Sequence, residues 1–155
     1  MPGREHETYM RRAIEMARQN PRFPFGAVLV DNDNGQIVAE GVNRSHLNPT
    51  WHGEIDVINR YAALPERVSW SRLRLYTTAE PCCMCQSAIL WAGIGTVVYG
   101  TSIATLQRQG WTQIDIRADE VIRRTPFTRC ELVGGVLEAE CDPLFEAARR
   151  LARGE

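Results

Sequence analysis

The sequence predicts a three-layer α/β/α sandwich built on a five-stranded mixed sheet, and three observations carry that expectation. Stretches of helical and of strand patterning alternate along the chain with short connections, the order that places helices on both faces of one sheet. Phe25-Gly26-Ala27-Val28-Leu29-Val30 is a continuous apolar run, followed by the turn chemistry of Asp31-Asn32-Asp33-Asn34-Gly35 and by Ile37 to Val42, so a hairpin opens the sheet. With 155 residues of which 44% are apolar, a single domain over 1–155 encloses an ordinary core.

The elements follow in order. Met10, Ala13, Ile14 and Ala17 have the spacing of an amphipathic helix over 5–19, stopped by Asn20-Pro21. The hairpin strands come next, then a polar loop from Asn43 to Thr50. Trp51, Ile55, Ile58 and Ala62 recur at helical spacing with Thr50 as the expected N-cap, which puts His52 and Glu54 in the first turn. Residues two apart do not share a helix face, so this pair makes sense only if the helix meets a site end-on. Leu73 to Thr78 reads as a strand, and Pro81 suits the first position of a helix running to Gly93, with Cys82 and Cys85 on its opening turn. Thr96 to Tyr99 is the fourth strand and Glu131 to Val133 the fifth. Between them, Gly100 to Arg129 shows little pattern beyond a short helix near Ala118–Arg124, ended by Thr125-Pro126; residues 143–153 form a last helix.

Composition excludes several classes. The formal charge of −1 gives no general pull toward nucleic acid, although a basic patch can sit within a neutral total. All basic residues are Arg, so no lysine Schiff base can form. No apolar h-region opens the chain and no apolar run approaches the ~18 residues of a membrane span, so a cytoplasmic protein without a membrane segment is expected. Five cysteines, three of them within 82–85, point to metal binding rather than to a disulfide framework, with Cys130 and Cys141 read as small buried thiols.

His52-Gly53-Glu54 and Pro81-Cys82-Cys83-Met84-Cys85 carry the chemistry. His52, Cys82 and Cys85 are three zinc-type ligands, which leave one coordination position open, and Glu54 is a carboxylate not needed as a ligand. A structural zinc would need a fourth ligand, His46 or Cys83, and would leave Glu54 idle. A redox Cys82/Cys85 pair would leave both His52 and Glu54 without a role.

The order His-x-Glu then Pro-Cys-x-x-Cys is the signature of zinc-dependent nucleobase deaminases. With Phe25 to Val30, Asn43, Thr77-Thr78-Ala79-Glu80-Pro81 and Ala88-Ile89, the chain resembles the cytidine/deoxycytidylate deaminase superfamily, on the side of its guanine-deaminase and tRNA-adenosine-deaminase-like members. The resemblance implies Zn2+ at His52, Cys82 and Cys85, Glu54 as proton shuttle and Asn43 hydrogen-bonding the base. It also implies strand order 2-1-3-4-5 and a homodimer or larger assembly. Phe25 and Trp91 are further candidates for substrate contact, packing being the alternative for Trp91. Met84 before the second ligand cysteine is similar to the purine-acting branch, and Gly53 stands where Ala or Val is usual. The expected reaction is hydrolytic deamination of a free purine base or small nucleoside-like heterocycle, guanine first. Adenosine-to-inosine editing of tRNA is the alternative, and a non-catalytic zinc-stabilised interaction module the reading from another class.

Overall fold

The computed structural model describes residues 2–155. β1 (Gly26–Asp31) and β2 (Ile37–Val42) form the antiparallel hairpin, and β3 (Leu73–Ala79) pairs antiparallel with the other edge of β1. β4 (Thr96–Thr101) and β5 (Glu131–Val133) then add in parallel, so the five-stranded mixed sheet has the order β2-β1-β3-β4-β5. This is the order the family resemblance implied.

The apolar run of β1 is buried at every position because both faces of the sheet are covered. Side chains alternate along a strand, so Val28 and Val30 of β1, Tyr76 of β3 and Val98 of β4 share one face. They pack on Met10 and Ile14 of α1 (Pro2–Ala17), Leu106 of α4 (Ile103–Arg108) and Phe145 of α6 (Glu138–Ala152). Ala27, Leu29, Leu75 and Val97 point to the other face, against Val57 and Tyr61 of α2 (Gly53–Ala62) and Ile89 of α3 (Cys83–Ala92). α5 (Ala118–Arg123) packs beside α3.

Several boundaries differ from the sequence reading; β3 runs on to Ala79 and β4 to Thr101. α1 is shifted, beginning at Pro2 and ending at Ala17. The N-cap position of α2 is His52 rather than Thr50, and that of α3 is Cys82, so Pro81 precedes the cap rather than taking the first helical position. α6 starts five residues before Pro143, so the ladder that opens with Cys141 N–H on the Leu137 carbonyl at 2.9 Å lacks its bond to the Ala139 carbonyl, for which Pro143 has no N–H. α4 had no visible signature, being only six residues long. Gly93 ends α3 as expected, with φ +87 in the left-handed region.

Candidate metal and catalytic site

His52 and Cys82 occupy the same local conformation on two helices. Each is an N-cap with extended backbone (φ −76, ψ 168 and φ −63, ψ 167), and neither side chain caps its own helix. Both side chains are therefore free to turn to a common point. Cys85 is three residues beyond the Cys82 cap, the N-cap/N3 relation in which side chains meet over a helix start.

His52 Nδ1 lies 3.5 Å from Cys82 Sγ and 3.5 Å from Cys85 Sγ, and all three donor atoms fall within 4.8 Å of one another. Zn–N and Zn–S bonds of about 2.1 and 2.3 Å at a tetrahedral angle put N and S about 3.6 Å apart, so the spacing and the donor set both fit that ion. The Cys82 pKa is drawn down to about 4 by the Cys85 thiol and by His52 against the cost of burial. The same contact, with burial, pushes Cys85 up. His52 is raised by its bond to Cys82. Protons held among closely set donors are what a cation displaces.

Glu54, in the first turn of α2, is 3% exposed. Thr77 Oγ1 of β3 donates to its Oε1 at 2.6 Å, and burial raises the carboxyl above its ordinary value, more than the Thr77 and Cys85 contacts lower it. A raised carboxyl beside a three-donor cluster is suited to taking up and passing on a proton.

These groups floor a cavity of about 260 Å³ whose walls include Phe23, Phe25, Asn43 and Trp111. Asn43, at the end of β2, has its carbonyl oxygen taken by Ser45 N–H (2.9 Å) and Ser45 Oγ–H (2.7 Å). Its amide nitrogen is the group left for a ligand, so Asn43 is set to donate. Gly53 is dictated by a close approach: a Cβ there would stand 2.3 Å from the Phe25 carbonyl oxygen. The first turn of α2 thus lies directly on the backbone beside the cavity.

The structure does not bring Trp91 to this cavity. Two residues beyond buried Ile89, its side chain is about 200° around the helix; it is 77% exposed and stacks on Phe127 with centroids 4.7 Å apart. His46 and Cys83 are not part of the three-donor group found among the described residues. Cys141 is buried in the core as expected, and Cys130 is partly so.

Four residues escaped the sequence reading. Thr77 and Glu80 lie inside the recognised motif, but only the fold shows what they touch. Glu80 borders the cavity and its two oxygens accept the N–H groups of Ile103 (2.9 Å) and Ala118 (2.8 Å), so one buried carboxylate holds the starts of both α4 and α5. Asp56 accepts from Val42 N–H, Arg44, Trp51 Nε1 and Arg60 at 2.9–3.2 Å, tying the 43–51 loop to α2. Trp111 had no pattern around it that could have marked it.

Comparison with known proteins agrees with this geometry. The family model for the cytidine and deoxycytidylate deaminase zinc-binding region matches residues 3–101. The chain is similar to guanine deaminase of Bacillus subtilis (33% identical, 82% of this chain and 86% of that one). It is equally similar to the tRNA-specific adenosine deaminase of Buchnera aphidicola (32%, 93% and 90%). In fold it resembles the guanine deaminase structure from Nitrosomonas europaea (TM-score 0.75, 22% identical, 92% and 84% covered).

Proposed function

Because the chain belongs to the cytidine and deoxycytidylate deaminase family of hydrolytic C–N-cleaving enzymes, we propose that it deaminates a free purine base or small nucleoside-like heterocycle, with guanine to xanthine and ammonia as the first candidate. The observation that carries this reading is the small cavity with three aromatic walls directly over Glu54 and the three-donor cluster. At about 260 Å³ it is just under the ~300 Å³ lower end of ordinary small-molecule pockets, a size that suits a bare ring.

In this reading His52, Cys82 and Cys85 hold Zn2+, which when bound supplies a Lewis acid that makes water a nucleophile near neutral pH. Glu54 would take one proton from that water and hand it to the ring nitrogen, then take the second from the added hydroxyl and give it to the departing amine. Water adds and ammonia leaves, so no redox partner is required. Thr77 fixes the carboxyl, Asn43 donates to an acceptor atom of the ring, and Phe25 supplies apolar wall.

The chain would act as a homodimer in the cytoplasm, with the exposed Trp91–Phe127 pair on the face that meets the second copy. Among the described residues no helix is long and apolar enough to cross a membrane. The second reading, adenosine-to-inosine deamination in tRNA, is favoured by the Buchnera relative, which this chain matches over 93% of its length. Ammonia release measured over guanine, guanosine, adenine, adenosine, cytosine and cytidine tests the first reading. Turnover of tRNA with none of these small molecules would replace it with the second.

A further inference from the structure

Trp111 separates two depressions. On one side it walls the cavity over Glu54; on the other lies the cleft between α4 and α6, lined by Arg108, Gln109, Arg149 and Arg150. Its position is fixed from several directions. The backbone N–H donates to Leu106 O at 2.9 Å, and the indole N–H donates to Phe145 O at 3.2 Å. The Arg149 guanidinium stands over the ring, 5.4 Å from its centroid, and Phe145 meets it edge-on at 84°. Phe25, on the cavity side, also meets it edge-on, at 88° and 5.3 Å. Arg149 covers the indole from the cleft side, and the half-buried ring also lines the cavity, where Phe23 stands 6.0 Å from it.

An indole held this firmly at the wall of a ring-sized cavity has little conformational freedom left to lose when a flat ligand arrives. We propose that Trp111 is a specificity-determining residue, the surface on which the substrate's heteroaromatic ring stacks, and that Arg149 and the Phe145 carbonyl are positioning groups that hold its plane. The proposal rests on the reading that the cavity takes a ring substrate. A fused bicyclic ring covers more of an indole than a single ring does, so the wall favours purines over pyrimidines. The stacked face is the same before and during attack on the ring carbon. Its contribution is therefore uniform binding, which appears in KM and leaves kcat largely alone.

The experiment compares wild type with Trp111→Ala, Trp111→Phe and Arg149→Met, all zinc-loaded. It records KM and kcat on the base and nucleoside panel, zinc content and melting temperature, and equilibrium binding of the same compounds in a Glu54→Gln background. Trp111→Ala is expected to raise KM for a bicyclic substrate on the order of tenfold, in the range base–aromatic stacking supplies, with kcat within about threefold. Trp111→Phe should recover most of the loss, and Arg149→Met should raise KM only about two- to threefold. KM within about twofold of wild type in both Trp111 variants overturns the proposal, as does a parallel fall of kcat and zinc content. If Trp111→Ala does not fold, Trp111→Phe and Arg149→Met decide it by the KM-against-kcat split. If wild type deaminates only tRNA, the small-molecule reading fails and Trp111 is judged on the KM for that RNA. If no ring compound or RNA is bound or turned over, both fail.

Discussion

Glu54 keeps its carboxyl away from water, and that placement costs stability where it supports chemistry. Burial raises its folded value above the ordinary one, so the metal-free native protein keeps this proton at pH values where the unfolded chain has released it. Stability should then fall as pH rises from the unfolded value through the folded one. Glu54→Gln removes that loss, and its metal-free form is expected to melt higher than wild type at neutral pH, with a flatter pH dependence by calorimetry. The same variant, zinc-loaded, should lose about 10²–10⁴-fold in kcat while retaining its metal. His52→Ala or Cys82→Ala should instead lower metal content well below one ion per chain. At this scale the sequence was highly readable, because His52, Glu54, Cys82 and Cys85 are residue types with few alternative uses at such spacings. Trp91 left two readings open, because an aromatic side chain two residues past a core position can face either way and only the turn of α3 decides.

The starts of α2 and α3 are the elements that assemble the site. Both helices begin in the same extended cap conformation, and about half a positive charge at each helix start favours thiolate and carboxylate nearby. Gly53 makes the approach of α2 possible. Alanine there would gain about 1 kcal/mol of helix propensity but would press its Cβ on the Phe25 carbonyl, and such overpacking costs about 1–3 kcal/mol. Gly53→Ala is therefore expected to be net destabilising by denaturant titration, with weakened zinc retention. The sequence marks only that Gly stands where Ala or Val is usual, since a contact between residues 28 apart leaves no local mark. Asp56 was invisible in the same way: an acid in a first helix turn reads as solvated, whereas four donors converge on it. Because charge-assisted bonds contribute about 1.5–3 kcal/mol each before solvent screening of the half-exposed arginines, Asp56→Ala should cost at least about 2 kcal/mol and loosen the Asn43 loop.

Across the whole molecule, the two-sided core followed from patterning and the strand order from the family resemblance, while most of the 100–130 segment stayed illegible. That stretch holds two six-residue helices, of which α5 was expected and α4 left no periodic signal, and its anchor lies outside it in Glu80. Glu80→Ala frees two buried N–H groups and should cost about 2–4 kcal/mol, with KM rising more than kcat falls because the Trp111 wall loses its support. Whole-molecule behaviour also includes assembly. Trp91→Glu is expected to convert a dimer to a monomer by light scattering, and a wild type that is monomeric at micromolar concentration would remove the exposed Trp91–Phe127 pair from that role. The most direct test of the central claim is product analysis with zinc-loaded wild type and guanine, beside the Glu54→Gln variant. Equal amounts of xanthine and ammonia from wild type, and at least about a hundredfold less from the variant with its zinc retained, is the expected result. Undiminished release by Glu54→Gln, or no release from guanine or any free base while adenosine in tRNA becomes inosine, would contradict it.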